Sequence, residues 1–101
     1  MSYGAFLSGN LIAYNLCYDN EYCIAFVEKC FVHPNHRGHG LQSSLLMMNM
    51  AAMRQKGIIN AFAMASPNNV WSLRNFRARG FETVGEIEFQ GYKRLILRNG
   101  N

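Results

Sequence analysis

The residues best suited to chemistry lie in one stretch, Val32-His33-Pro34-Asn35-His36-Arg37-Gly38-His39-Gly40-Leu41. An apolar run precedes it and a helix-periodic run follows it, so it reads as a strand, a turn and a helix start. The first backbone N–H groups of a helix have no internal partners, and the helix dipole favours negative charge there. Gly38 and Gly40 carry no Cβ, so phosphate oxygens can approach the main chain closely. Arg37 adds a guanidinium that can grip phosphate through two parallel bonds. A Walker A loop is excluded because the turn lacks its lysine, and a Rossmann fingerprint because Ser43 stands where the third glycine belongs. Read on its own, Gly-x-Gly is equally an ordinary strand–helix connection.

Two further groups invite chemical readings. Glu28 lies four residues before Val32 in the same apolar run, so the two side chains are expected on one face. A carboxylate in such a strand should be paired or have a raised pKa, which makes Glu28 a candidate general base and equally a structural glutamate. His33, His36 and His39 recur every third residue, with Cys30 three before the first. They run from a strand through a turn, so equal spacing does not gather them. We read them as loop histidines near phosphate and expect no metal.

The elements that must position these residues follow in order. Gly4–Leu7 and Leu11–Tyr18 read as strands around Ser8-Gly9-Asn10, the second with apolar residues on both faces as in a covered sheet. Asp19-Asn20 turns the chain into a long strand, Cys23–His33, which Pro34 ends. A helix spans about Gly40 to Lys56, with Leu41, Leu45, Met48 and Ala52 on its apolar face, broadened by Leu46, Met50 and Met53. Ile58–Ala65 is a strand, Asn69–Arg79 a helix, and Phe81–Phe89 with Tyr92–Leu97 a hairpin around Gln90-Gly91. The order β-β-β-α-β-α-β-β is α/β, a mixed sheet with helices packed on it. The strands flanking the first helix form a parallel crossover pair. Methionines Met47, Met48, Met50 and Met53 read as core filler, and Trp71 with Phe76 as packing of the second helix on the sheet.

Composition bounds the rest. The 101 residues suit one domain over 1–101, and half of them are apolar, which excludes disorder. Ten Lys/Arg against six Asp/Glu leave a net charge of +4. Asp19, Glu21 and Glu28 all precede the first cation, Lys29, so the basic residues crowd the second half. That asymmetry suits a polyanionic ligand there, or simply a mildly basic domain. Only Arg74, Arg77 and Arg79 cluster, too few for a nucleic-acid stripe. No run reaches the ~20 apolar residues of a membrane span, and no signal peptide opens the chain. Cys17, Cys23 and Cys30 are odd in number, lack a CxxC pair and fall in apolar runs. They are expected to be reduced and packed, and the protein cytoplasmic.

The fuller string Val32-x-Pro34-x-x-Arg37-Gly38-x-Gly40-Leu41-x-x-x-Leu45 resembles the acetyl-CoA motif of the GNAT N-acetyltransferases. A second stretch, Pro67-Asn68-Asn69-x-x-Ser72-x-x-Asn75-Phe76-x-x-x-Gly80-Phe81, resembles the family's later helix beside the pantetheine arm. The resemblance implies acetyl-CoA as co-substrate and acetyl transfer to a primary amine. It implies pantetheine pairing by main-chain groups of Phe31, Val32 and His33, and pyrophosphate binding by Arg37, Gly38, His39, Gly40 and Leu41. Asn69 would hydrogen-bond the cofactor, with Asn75 a second candidate, and a main-chain N–H would stabilise the oxyanion. Phe76 stands where many members place a tyrosine that protonates the leaving thiolate. The family's usual first strand and two N-terminal helices, which help form the acceptor pocket, do not precede the first hairpin. A homodimer through the face they leave bare, or a non-catalytic CoA-binding domain, are the alternatives. Tyr3, Tyr14, Tyr18, Tyr22 and Tyr92 are candidate acceptor-site aromatics.

Overall fold

The computed structural model describes residues 2–20 and 23–100, so Tyr22 lies outside the described residues. Among these residues six strands and two α-helices form: β1 (Tyr3–Leu7), β2 (Asn10–Asp19), β3 (Ile24–Val32), α1 (Leu41–Gln55), β4 (Asn60–Ala65), α2 (Val70–Ala78), β5 (Glu82–Phe89) and β6 (Tyr92–Gly100). The expected order holds. The sheet runs β1-β2-β3-β4-β6-β5, antiparallel except for the β3–β4 pair that the α1 crossover makes parallel. No helix among the described residues is long and apolar enough to cross a membrane.

Both helices pack on one face of the sheet. Their large side chains, Leu46, Met50, Met53, Leu73 and Phe76, meet a floor of small residues, Ala25, Ala61, Ala63 and Ala65. The second face of β2 and β3 is therefore not covered as a doubly buried sheet would be. Leu11, Leu16, Tyr18 and Phe31 are exposed there.

The apolar stripe of α1 is rotated from the one expected. Its buried positions are Gln42, Leu45, Leu46, Asn49, Met50 and Met53, whereas Met47 and Met48 are exposed. That stripe is a regular i, i+3, i+4, i+7 series, hidden in the sequence because two of its members are amides. Each amide is accommodated by a partner: Asn49 faces the equally buried Asn15 of β2 at 3.2 Å, and Gln42 Oε1 accepts from Asn75 Nδ2 at 3.2 Å. Trp71, expected to pack α2 on the sheet, is 37% exposed, and Phe76 and Leu73 do that work instead.

The cysteines divide. Cys17 is buried, Cys30 half-buried, and Cys23 lies before β3, exposed and with φ 60°. Burial, reinforced by the neighbouring Cys30, pushes the Cys17 thiol up to about 12. An unfolded thiol ionises near ~8.5, so the unfolded state sheds its proton first. Stability should therefore fall as pH rises from about 8.5 towards the folded value, and Cys17→Ala should blunt that fall in urea titrations. In the native protein Cys23 should react with a disulfide thiol reagent on the order of 100-fold faster than Cys17 or Cys30. Three equally fast thiols would contradict this packing.

Candidate active site

The site begins where β3 and β4 part. Their parallel pairing runs from Ile24–Asn60 to Val27–Ala63 and stops. At the same place a bulge interrupts the β2–β3 ladder: Leu16 pairs with Lys29 and Cys17 with Val27, leaving Glu28 as the extra residue. The bulge reverses the alternation of β3. Ala25 and Val27 face the helices before it, Cys30 and Val32 after it. Glu28 and Val32 thus do not share a face as the simple alternation predicts. Val32 is buried, and Glu28 is exposed at the mouth of the gap.

Beyond the bulge, β3 keeps its ladder to β2 on one edge only. His33 N–H donates to Ile12 C=O at 2.7 Å, which fixes the phase of that ladder. By antiparallel alternation, Phe31 is turned to Tyr14, while the main-chain groups of Val32 and Cys30 point away from β2, into the gap. Val32 C=O accepts from Arg37 Nε at 3.1 Å, so the guanidinium ties the loop to the strand end and bonds no other described residue. The loop itself is a short 3-10 turn, Pro34–His36, capped by His33, whose Nδ1 accepts from Asn35 N–H and whose C=O accepts from His36 N–H. No group of three or more His, Cys, Asp or Glu side chains converges among the described residues.

Gly38 and Gly40 both adopt left-handed conformations, φ 84° and 75°, with open space where a Cβ would stand. Gly40 is the N-cap of α1 and makes no side-chain cap. The first helical bond is Ser44 N–H to Gly40 C=O, so the amides of Leu41, Gln42 and Ser43 remain outside the helical ladder. A main chain bared by two glycines, a helix N-terminus and an anchored guanidinium thus sit at the end of an unpaired strand edge. That donor set fits a pyrophosphate followed by an extended amide chain.

The sequence matches the model of the acetyltransferase (GNAT) family over residues 1–81. The chain belongs to the GNAT family. Among curated proteins, none matches it significantly. Solved structures share its fold. An IAA acetyltransferase from Bacillus cereus is 16% identical with a TM-score of 0.86, and the match covers 99% of this chain and 77% of that one. PaiA N-acetyltransferase from Thermoplasma acidophilum, in complex with coenzyme A, is 18% identical with a TM-score of 0.83, over 100% and 60% of the two chains. The ribosomal-protein-S18-alanine N-acetyltransferase from Escherichia coli is 13% identical with a TM-score of 0.87, over 99% and 68%. This chain therefore spans between 60% and 77% of the length of these neighbours.

In this GNAT domain the gap between β3 and β4 is a cleft of ≈ 170 Å³ whose lining includes Glu28, Cys30, Ser66, Asn69, Ser72 and Phe76. Asn69 caps α2, its Oδ1 accepting from Ser72 N–H at 3.1 Å, and the same residue lines the cleft. Asn75 spends a donor on Gln42 instead. Phe76 is 3% exposed, edge-on to Phe81 at 5.1 Å, and brings no proton donor. His39 is exposed, and Leu41 packs on Ala13, Val32 and Leu45, holding the helix start against the sheet.

Three residues of the site carry no motif signal. Gln42 is 1% exposed, and its Nε2 has no hydrogen-bond partner among the described residues. Burial pushes the Cys30 thiol up to about 11, an effect that Gln42 partly opposes. Arg79, at the end of α2, donates from Nε and from a terminal guanidinium nitrogen to Ser43 Oγ at 3.1 and 2.9 Å. This fixes a second guanidinium on the first turn of α1. Its only sequence signal is membership of the Arg74-Arg77-Arg79 cluster.

Proposed function

We propose that this GNAT domain binds acetyl-CoA along the parted β3–β4 edge and transfers the acetyl group to a primary amine. The observation that carries this is the juxtaposition of that unpaired edge with the Arg37–Leu41 loop. The main-chain groups of Val32 and Cys30, rather than those of Phe31 and His33, pair with the pantetheine arm. The amides of the loop and of the first α1 turn hold the pyrophosphate with Arg37, and Arg79 adds a second cation. Asn69 donates to the arm from the opposite wall. Glu28 stands at the mouth as the base that takes a proton from the incoming ammonium. The neutral nitrogen then attacks the thioester carbonyl: the C–N bond forms, the C–S bond breaks, and the leaving thiolate takes up the proton that the nitrogen loses. Unpaired thiols and this co-substrate support a cytoplasmic location, where reduced cysteines and CoA esters coexist.

Calorimetric titration of acetyl-CoA into the full chain tests the reading, with saturable binding as the expected result. Arg79→Ala should weaken it about 5-fold, the effect of one partly screened charge-assisted contact. An Arg79→Ala dissociation constant equal to that of the parent would remove Arg79 from the site, and a parent that does not bind would remove the cofactor. Binding without CoA release against any amine would favour a non-catalytic CoA-binding domain, the reading that Phe76 supports.

A further inference from the structure

The open face of the sheet carries a trough of ≈ 370 Å³ lined chiefly by Tyr18, Phe26, Glu28, Phe62, Met64 and Ile96. Its floor is a row of aromatic rings across three strands. Tyr18 stacks on Phe26 at 5.1 Å and 23°, and Phe26 on Phe62 at 6.2 Å and 27°. The register places them side by side, Tyr18 opposite Phe26 and Phe26 opposite Phe62. Val27, Glu28 and Met64 line this trough and the cleft alike, so the two cavities meet at the bulge. Among the described residues Glu28 is the single charged one lining the trough, and it stands at that junction.

We propose that the trough is the acceptor site and that the acceptor is an arylalkylamine, its ring on the Tyr18–Phe26–Phe62 row and its nitrogen beside Glu28. The inference rests on the acetyl-transfer reading and names the substrate class of that site. The volume lies in the range of small-ligand pockets, which are mostly apolar with few polar groups that fix orientation. A single carboxylate at the cleft end complements one ammonium and orients it towards the thioester. A polyamine would lay its further charges on an apolar floor without partners. A peptide N-terminus would bring amides to a lining whose side-chain polar groups, among the described residues, are the Glu28 carboxylate and the Tyr18 hydroxyl. The bulge has a purpose in this arrangement, since it lifts Glu28 out of the β2–β3 pairing to the seam of the two cavities. In the step itself Glu28 accepts one ammonium proton. The amine nitrogen bonds to the acetyl carbon as the C–S bond breaks. The thiolate takes the second proton released by nitrogen, and Glu28 returns its own to solvent.

The test uses the full chain and three readouts. Saturation-transfer NMR reads phenethylamine binding without co-substrate. Thiol release from acetyl-CoA compares phenethylamine and tryptamine with n-butylamine and spermidine. Calorimetry follows acetyl-CoA alone. The expected result is a kcat/KM at least ~10-fold higher for the aryl amines than for n-butylamine, as burial of an aromatic ring implies. Phe62→Ala should raise the phenethylamine KM about 10-fold with acetyl-CoA affinity unchanged. Phe62→Leu, which keeps an apolar side chain and the fold, should lie between, and Glu28→Gln should lower kcat more than it raises KM. Equal rates for butyl and aryl amines, or a preference for spermidine, would overturn the proposal. So would sedimentation showing a dimer that Phe62→Lys disperses, since a second copy would then fill the trough. If phenethylamine binds and acetyl-CoA does not, the co-substrate reading falls while the aryl-amine site stands. If acetyl-CoA binds and no aryl amine does, the reverse holds.

Discussion

Gly40→Glu is expected to raise the acetyl-CoA dissociation constant by more than ~100-fold while leaving the domain folded. Gly40 holds φ 75°, and a Cβ built there meets nothing within 4 Å. The Cβ of the new residue therefore clashes with no part of the protein. Its internal cost is the left-handed conformation, about 1–2 kcal/mol for a residue with a Cβ. A carboxylate at a helix N-terminus returns about 0.3–1 kcal/mol through the dipole. The net effect on stability is small for that reason, and the melting temperature should move by only a few degrees. The effect on binding is large because the new carboxylate enters the space proposed for the pyrophosphate. It satisfies the free α1 amides itself and repels the incoming charge. Gly40→Ala separates the contributions, since it carries the backbone strain without the charge and should weaken binding about 5-fold. Calorimetry of the two variants beside a thermal melt reads both quantities. A Gly40→Glu protein that binds acetyl-CoA as the parent does would place the phosphates elsewhere.

The elements were legible because their signals are local. Pro34 after an apolar run, Gly57 after Arg54 and Lys56, and Gln90-Gly91 between alternating residues mark boundaries that depend on one stretch of chain. The glycine loop at the start of α1 was legible for the same reason, since strand, glycines and helix start are contiguous. What was not legible depends on partners distant in sequence. Gln42 and Asn49 look like solvent-facing residues until Asn75 and Asn15 are brought to them, and so the α1 stripe reads one notch round the helix. Glu28 reads as a regular strand residue because a bulge is a mismatch between two strands and leaves no mark in either alone. The parting of β3 from β4 is of the same kind, as is the seat of Arg79 on Ser43. The Arg37–Leu41 loop was thus written locally, whereas the cleft and the aromatic trough exist only after assembly.

Phe81→Ala should cost about 3–5 kcal/mol, the range for removing a buried aromatic side chain. Against a total stability of about 5–15 kcal/mol this is a large share. For a domain of this size it lowers the melting temperature by roughly 15–30 °C. Phe81 is 1% exposed, packs edge-on against Phe76 at 5.1 Å, and its N–H donates to Phe76 C=O at 3.0 Å. The sheet beneath is floored by alanines, which have no side chain to swing into the void, so the upper half of the range applies. Phe89, half exposed at the end of β5, is the control, and its change to alanine should stay within ~0.5 kcal/mol. Phe76 also lines the cleft, so the cavity behind it loosens the wall against which the pantetheine arm would lie. Acetyl-CoA affinity should therefore fall together with stability in Phe81→Ala, whereas in Gly40→Glu it falls alone. A Phe81→Ala protein that melts early yet binds acetyl-CoA at parental affinity in the cold would show that the cleft is held by the β3–β4 divergence itself, independently of the α2 packing behind it.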